Sequence, residues 1–145
     1  MLLTKFEPID ARTLSITPLP PVRWLIPNLL SGGLSMLSGG SKIGKSWLCL
    51  WLCLQLAKGG EFWGRPLRAQ AVLYLCLEDT YARIQNRLFR LSEEEMPDNL
   101  YFQTACAGLG HGLEEQIEPF LAVRPATGLV VIDTLQTGRP GEATG

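Results

Sequence analysis

One stretch of eight residues combines the residue types and the spacing that phosphate binding requires. The run Gly39-Gly40-Ser41-Lys42-Ile43-Gly44-Lys45-Ser46 fits the pattern G-x-x-x-x-G-K-[ST], whose glycines let backbone amides approach phosphate oxygens closely. In this pattern the lysine reaches the outer phosphates and the hydroxyl group ligates Mg²⁺. The stretch therefore predicts a loop that binds a nucleotide such as ATP together with Mg²⁺, with Lys45 on the phosphates and Ser46 on the metal.

Two apolar runs end in carboxylates that could serve this loop. The run at 128–133 ends in Asp133, which we expect to deliver a second oxygen to the Mg²⁺ site. The run at 71–77 is followed by Glu78, at the edge where open α/β sheets place their ligands. A carboxylate there can deprotonate the water that attacks the γ-phosphate, so Glu78 is the candidate catalytic base. Alternatively, Glu78 belongs only to the turn that caps the next helix.

Strands and helices must alternate to position these residues, and the sequence predicts such an alternation. We expect a strand at 34–37 before the loop and a helix at 47–57 after it, with the helix N-terminus directed at the phosphates. Further strands are expected at 71–77, 99–105 and 128–133, and further helices from about 81 to 91 and from 113 to 121, where Pro119 should kink or restart the second of these. This order predicts an α/β fold with a mostly parallel sheet flanked by helices.

The segments around this core are the N-terminal residues, the faces of the helix at 47–57, and the start of the helix from about residue 81. Residues 1–30 are rich in proline and are expected to form an extended arm. The helix at 47–57 is apolar on every face, so it needs a second cover besides the sheet, either the arm or a neighbouring subunit. Asp79 or Thr80 should cap the following helix, with Asp79 preferred over Glu78. On that helix Arg83, Arg87 and Arg90 form either a solvated face or a contact with phosphates or an adjacent subunit.

Composition indicates one domain with a buried core, since 46% of residues are hydrophobic and 19% are charged. The net charge of −1 gives no basic footprint for nucleic acid, although a local patch could still supply one. Four cysteines lie in apolar segments, without metal-ligand spacing, and predict reduced thiols in a cytoplasmic protein (Cys49, Cys53, Cys76, Cys106). The apolar runs are too short to cross a membrane, and no signal peptide is evident.

Four segments together resemble a known group of proteins: Trp24-Leu25-Ile26-Pro27, residues 33–47, Tyr74-Leu75-Cys76-Leu77-Glu78-Asp79 and residues 130–135. They are similar to the RecA-like ATPases of the RepA-type hexameric replicative helicase family, found on plasmids and phages and in mobile bacterial DNA. The likeness extends from about residue 22 to residue 135. The lysine inside the loop, the tryptophan after it and the Leu-Glu-Asp strand end are its most specific parts.

The resemblance implies a RecA-like P-loop core in residues 31–145, incomplete at the C-terminus. It also implies that Lys45 and Ser46 bind nucleotide phosphates and Mg²⁺, that Asp133 is the Walker B acid, and that Glu78 is the catalytic glutamate. Family members act on single-stranded DNA as rings, in which an arginine of the next subunit completes the site. Later strands, a polar sensor and that arginine have no counterpart here, so an isolated chain is expected to be marginally stable or to associate, and to lack steady-state ATP turnover. Two other functions stay open, a P-loop kinase of a small molecule and a nucleotide-dependent regulatory module without hydrolysis.

Overall fold

A computed structural model describes residues 6–39 and 43–133 of the chain. Within this part of the chain, a short helix and a two-stranded sheet precede a core in which helices alternate with the strands of a parallel sheet. In chain order the elements are α1 (Ala11–Ile16), β1 (Trp24–Ile26), β2 (Leu30–Ser31), α2 (Lys45–Lys58), β3 (Glu61–Phe62), β4 (Arg65–Pro66), β5 (Ala71–Cys76), α3 (Tyr81–Leu91), β6 (Leu100–Gln103), α4 (Leu113–Val123) and β7 (Thr127–Asp133).

The main sheet of the described chain has three parallel strands in the order β6-β5-β7. The near-continuous apolar run of β5 suits a central strand, because both faces of a parallel sheet are covered. All three strands end at the same edge, where Cys76 lies opposite Asp133. The predicted α/β class with a parallel sheet is therefore confirmed.

A bulge at the start of β7 sets the register of this sheet. Ala71 pairs with Thr127 and Val72 pairs with Leu129, so Gly128 is an extra residue on β7. A Cβ atom at Gly128 would overlap the side-chain amide of Gln70, so a larger residue here would require the Gln70 side chain to move. From Leu129 onward the ladder is regular and brings Asp133 level with the end of β5.

Helices cover both faces of the sheet. Alternate residues of β5 point to opposite faces, so Val72 and Tyr74 pack in one cluster with α2 and with Ile84 of α3. Leu73 and Leu75 pack on the other face with Leu113 of α4. This three-layer arrangement leaves the carboxyl edge of the strands accessible between α2 and α3.

The helix predicted at 47–57 is confirmed as α2, and a glycine lies at each of its termini. It begins after Gly44 and ends at Gly59, and both glycines have left-handed backbone angles, with φ of 92° and 68°. The second cover of this apolar helix comes partly from β1, whose Ile26 is 1% exposed and joins the same cluster. No residue of α1 is buried, so this part of the N-terminal segment does not cover the helix.

Two details of the predicted elements were wrong. Residues 34–37 do not form a strand, and Leu34 and Met36 are 97% and 76% exposed. No described strand pairs with residues 34–37, so the backbone of this stretch gains no ladder hydrogen bonds. Helix α4 runs through Pro119 to Val123, with its apolar face packed on the sheet, so the predicted restart at Pro119 is wrong, whereas a kink there stays a prediction. Among the described residues, no helix is long and apolar enough to cross a membrane.

Candidate nucleotide-binding site

The junction between the glycine-rich loop and α2 presents backbone amides at the carboxyl edge of the sheet. Gly44 is the N-cap of α2 and offers no side-chain cap, so the first amides of the helix keep their donors for another acceptor. A Cβ atom on Gly39 would overlap the Ile43 side chain, so the loop closes tightly here. Gly40, Ser41 and Lys42 lie outside the described residues. The helix N-terminus carries a partial positive charge, which favours an anion at this place.

Lys45 folds back across the loop. Its Nζ atom donates a hydrogen bond to the carbonyl oxygen of Gly39 over 2.7 Å, which joins the two ends of the predicted phosphate-binding stretch. A charged donor bound only to a neutral carbonyl gains energy when a phosphate oxygen replaces that carbonyl. The ammonium group is therefore held at the mouth of the loop, where a phosphate would meet it.

Ser46 and Asp133 lie together, as the sequence predicted. The Ser46 hydroxyl donates to Oδ2 of Asp133 over 2.8 Å, and the Tyr74 hydroxyl donates to the same oxygen over 2.9 Å. The backbone of Asp133 is fixed as well, because its carbonyl oxygen accepts from the amide of Leu77 over 2.8 Å. The sheet register thus delivers the β7 carboxylate directly to the first turn of α2.

Oxygen atoms with this spacing fit a magnesium ion. Mg²⁺ binds oxygen ligands at about 2.05 Å in an octahedron, whose adjacent ligands lie about 2.9 Å apart. The Ser46 and Asp133 oxygens are 2.8 Å apart, a hydrogen-bond distance that is also compatible with two such corners. In the described residues no group of three or more His, Cys, Asp or Glu side chains could hold a metal. The pair therefore fits an ion that shares its other ligands with phosphates and water, as Mg²⁺ does.

Burial and the charge of the Asp133 carboxylate raise the pKa values of two nearby side chains, Tyr74 and Cys76. Burial, followed by the charge of Asp133, raises the pKa of the Tyr74 phenol, which therefore stays neutral and remains a donor. Burial raises the pKa of Cys76 to about 12, with further contributions from Asp79 and Asp133. All four cysteines are free, and Cys53 and Cys76 are buried. These thiols are protonated at neutral pH and are poor nucleophiles.

Glu78 follows the end of β5 and borders the same site. It lines a cavity of about 150 Å³ together with Ser46, Asp133 and Asp79. Its side chain is exposed, and within the described residues it forms no hydrogen bond or ion pair that would withdraw it from this cavity. The position suits the base predicted from the sequence, whose role stays a prediction.

Of the two residues predicted to cap α3, the structure confirms Thr80, and the preference for Asp79 was wrong. Thr80 caps α3 by accepting a hydrogen bond from the Arg83 amide over 3.3 Å. Asp79 instead accepts from Arg87 over 2.6 Å and lies 3.5 Å from Arg83. A hydroxyl can cap the helix without losing a charge partner, whereas the Asp79 carboxylate, 14% exposed, needs the guanidinium groups.

Arg87 of α3 contacts both Asp79, which follows β5, and Trp47 of α2, and the sequence did not predict this double contact. Its guanidinium group lies 5.4 Å from the centre of the Trp47 ring, while it also pairs with Asp79. The available signal was the spacing, because Asp79, Arg83 and Arg87 are separated by four residues each. Arg83 and Arg90 are exposed, as a solvated face predicts, whereas the side chain of Arg87 is 21% exposed. Contact of these arginines with phosphates or with an adjacent subunit stays a prediction.

The fold and the site together define a P-loop nucleotide-binding protein, with a loop, a helix N-terminus and a strand-end carboxylate at one sheet edge. A family model described as an AAA domain matches residues 3–143, and the chain belongs to this family of P-loop AAA-type ATPases. No curated protein matches the chain, and no solved structure does.

Proposed function

We propose that this chain is the nucleotide-binding core of an ATP-driven DNA motor of the RepA-type replicative helicase kind, which works as a hexameric ring in the cytoplasm. In this proposal residues 1–30 are an arm and residues 31–145 belong to the ATPase domain. The hydrogen bond of 2.8 Å between Ser46 and Asp133, with Glu78 beside it in one cavity, supports the proposal most strongly. Hydrolysis of a nucleoside triphosphate needs these groups at one place.

Binding of ATP would use the loop and the first turn of α2. The amides of the stretch from Gly39 to Ser46 surround the phosphates, and the Lys45 ammonium leaves the Gly39 carbonyl for a phosphate oxygen. The oxygens of Ser46 and Asp133 hold Mg²⁺, which neutralises charge on the β- and γ-phosphates when it is bound. Both ends of the cation site are rigid, because one is in a helix and the other in a strand.

Hydrolysis would use the Glu78 carboxylate. As a water oxygen bonds to the γ-phosphorus, Glu78 accepts a proton from that water, and the bond between the γ-phosphorus and the bridging oxygen breaks. The products are ADP, which keeps the electron pair of the broken bond, and inorganic phosphate. The exposed side chain of Glu78 at the strand end leaves room for the water.

A partner subunit would cover apolar side chains that are exposed or half-buried in this chain. Leu34 and Met36 beside the loop are 97% and 76% exposed, and Trp51 and Leu52 of α2 are only half-buried. Apolar surface of this kind is typical of protein contacts. The choice of single-stranded DNA as the second partner rests on the resemblance to the helicase family rather than on any basic surface of the chain.

The experiment that tests this function is ATP turnover with and without single-stranded DNA. Because the isolated chain is expected to lack turnover, the assay uses the assembled motor that also contains the later strands, the sensor and the arginine of the next subunit. In that assembly we expect turnover that DNA stimulates and that Glu78→Gln abolishes, with assembly measured by sedimentation in the same buffer. Turnover that depends on a small phosphate acceptor instead of DNA would identify a kinase. Tight ATP binding without phosphate release, in the assembled protein with DNA, would identify a regulatory module.

A further inference from the structure

We propose that Tyr74 is a positioning residue for the Mg²⁺ site, where its hydroxyl group fixes the carboxylate of Asp133 against Ser46. The proposal extends the function given above and rests on its assignment of Ser46 and Asp133 to the cation. Tyr74 would contact neither nucleotide nor metal, and it would act only through the orientation of Asp133.

The strand register explains how Tyr74 reaches Asp133. Tyr74 pairs with Val131, and Asp133 lies two residues further along β7 on the same face of the sheet. Such diagonal neighbours are within reach of an aromatic side chain. The tyrosine hydroxyl therefore meets Oδ2 of Asp133 at 2.9 Å, although the two residues are not direct partners in the ladder.

The position of the Tyr74 ring is set by the core, independently of the carboxylate. The residue is 2% exposed, and its ring packs against Phe102 of β6 with 5.8 Å between ring centres. A buried hydroxyl without an acceptor is costly, and no described buried side-chain polar atom lacks a partner. A ring held by hydrophobic packing thus presents its donor at a fixed point, and the Asp133 carboxylate must turn to meet it.

The consequence for the metal site is geometric. Oδ2 of Asp133 accepts from both Tyr74 and Ser46, so rotation of the carboxylate would break two hydrogen bonds at once. The Ser46 proton then points to Asp133, and the lone pairs of its oxygen remain for a cation. Groups that orient ligands in this way change metal affinity by about 10- to 100-fold when they are removed.

The test uses Tyr74→Phe, which removes only the hydroxyl and keeps the ring packed on Phe102. ATP affinity of the full chain is measured by calorimetry in EDTA and at increasing Mg²⁺ concentration. We expect affinity in EDTA to stay within about twofold, and the Mg²⁺ concentration at half effect to rise about tenfold or more. Tyr101→Phe is the matched control, since Tyr101 lies on β6 in the cluster of the other sheet face and should leave both values unchanged.

An unchanged Mg²⁺ dependence in Tyr74→Phe, or an equal change in Tyr101→Phe, would overturn the proposal. Should Tyr74→Phe fail to fold, the unsubstituted protein still decides the question through its near-ultraviolet absorbance. Mg²⁺ binding to Asp133 weakens the hydrogen bond from Tyr74, so a tyrosine difference spectrum is expected, and a flat spectrum contradicts the proposal. A chain that binds no ATP at all would instead refute the proposed function, so the two failures are distinguishable.

Discussion

The hydroxyl group of Ser46 donates a hydrogen bond to Oδ2 of Asp133 over 2.8 Å, although 87 positions separate the two residues in the chain. Ser46 belongs to the first turn of α2, and Asp133 is the last residue of β7. Their contact depends on the packing of α2 on β5 and on the pairing of β5 with β7. The predictions below test the groups around this contact one at a time.

Replacing Lys45 with alanine should weaken the binding of ATP with Mg²⁺ by about 10- to 100-fold. The substitution removes a charged donor held at the loop mouth, and hydrogen bonds to charged groups contribute about 1.5–3 kcal/mol. Calorimetry measures the affinity directly. Lys58→Ala is the control, since Lys58 lies at the opposite end of α2 and pairs with Glu94. Equal affinities in the two variants would refute the phosphate-binding loop.

Glu78→Gln should separate binding from turnover. The amide keeps the shape of the side chain but cannot accept the proton, so ATP affinity should stay within about twofold while the hydrolysis rate falls by about 100-fold or more. The rate is measured by phosphate release from the assembled protein. Glu93→Gln, at an exposed position after α3, should hydrolyse ATP at the parent rate. If Glu78→Gln also does so, Glu78 is only part of the turn before α3.

Sequence patterns predicted the sheet and the loop helix because local chemistry determines both. An apolar run of a few residues is enough to predict a buried strand, as in β5 and β7. A glycine at each end is likewise enough to predict where α2 begins and ends. The strand expected at 34–37 failed for the opposite reason, since strand pairing needs a neighbour that the local sequence does not specify. The contact between Tyr74 and Asp133 was missed because it depends on the register between two strands.

Arg87→Ala should lower the free energy of unfolding by about 1–2 kcal/mol. The substitution leaves the mostly buried Asp79 carboxylate with Arg83 alone, at 3.5 Å, and removes the cation from the Trp47 ring. Chemical denaturation measures the loss. The matched control is Arg90→Ala on the same helix, where an exposed side chain should change stability by less than about 0.5 kcal/mol. Equal stability of the two variants would show that the contacts of Arg87 with Asp79 and Trp47 do not stabilise the fold.

Alkaline pH should destabilise the fold through Cys76. The thiol has a pKa of about 12 in the folded protein and an ordinary value of 9.0, so the unfolded chain loses its proton first as the pH rises. The free energy of unfolding should therefore be unaffected by this group below about pH 9 and should fall between about pH 9 and pH 12. Denaturation curves at several pH values measure the fall.

Cys76→Ser tests the assignment, because serine keeps the size of the side chain and does not ionise in this range. Its stability should depend less steeply on alkaline pH than that of the parent protein, whatever its stability at neutral pH. Cys106→Ser is the comparison, since burial alone raises the pKa of the half-buried Cys106 thiol, and the change in slope should be smaller than in Cys76→Ser. A parent-like slope in Cys76→Ser would assign the alkaline fall to other groups.

The bulge at Gly128 has a consequence for insertions and deletions in this strand. Side chains alternate along β7, so the loss of one residue between Leu129 and Ile132 would turn Asp133 to the opposite face, away from Ser46. Deletion of Gly128 removes only the extra residue, and the ladder from Leu129 onward can keep its partners. A single-residue deletion should thus be tolerated at the bulged residue Gly128, whereas one at any position from Leu129 to Ile132 should abolish Mg²⁺ binding. The number of residues between the bulge and Asp133 is therefore a stricter requirement than the identity of the aliphatic residues of β7.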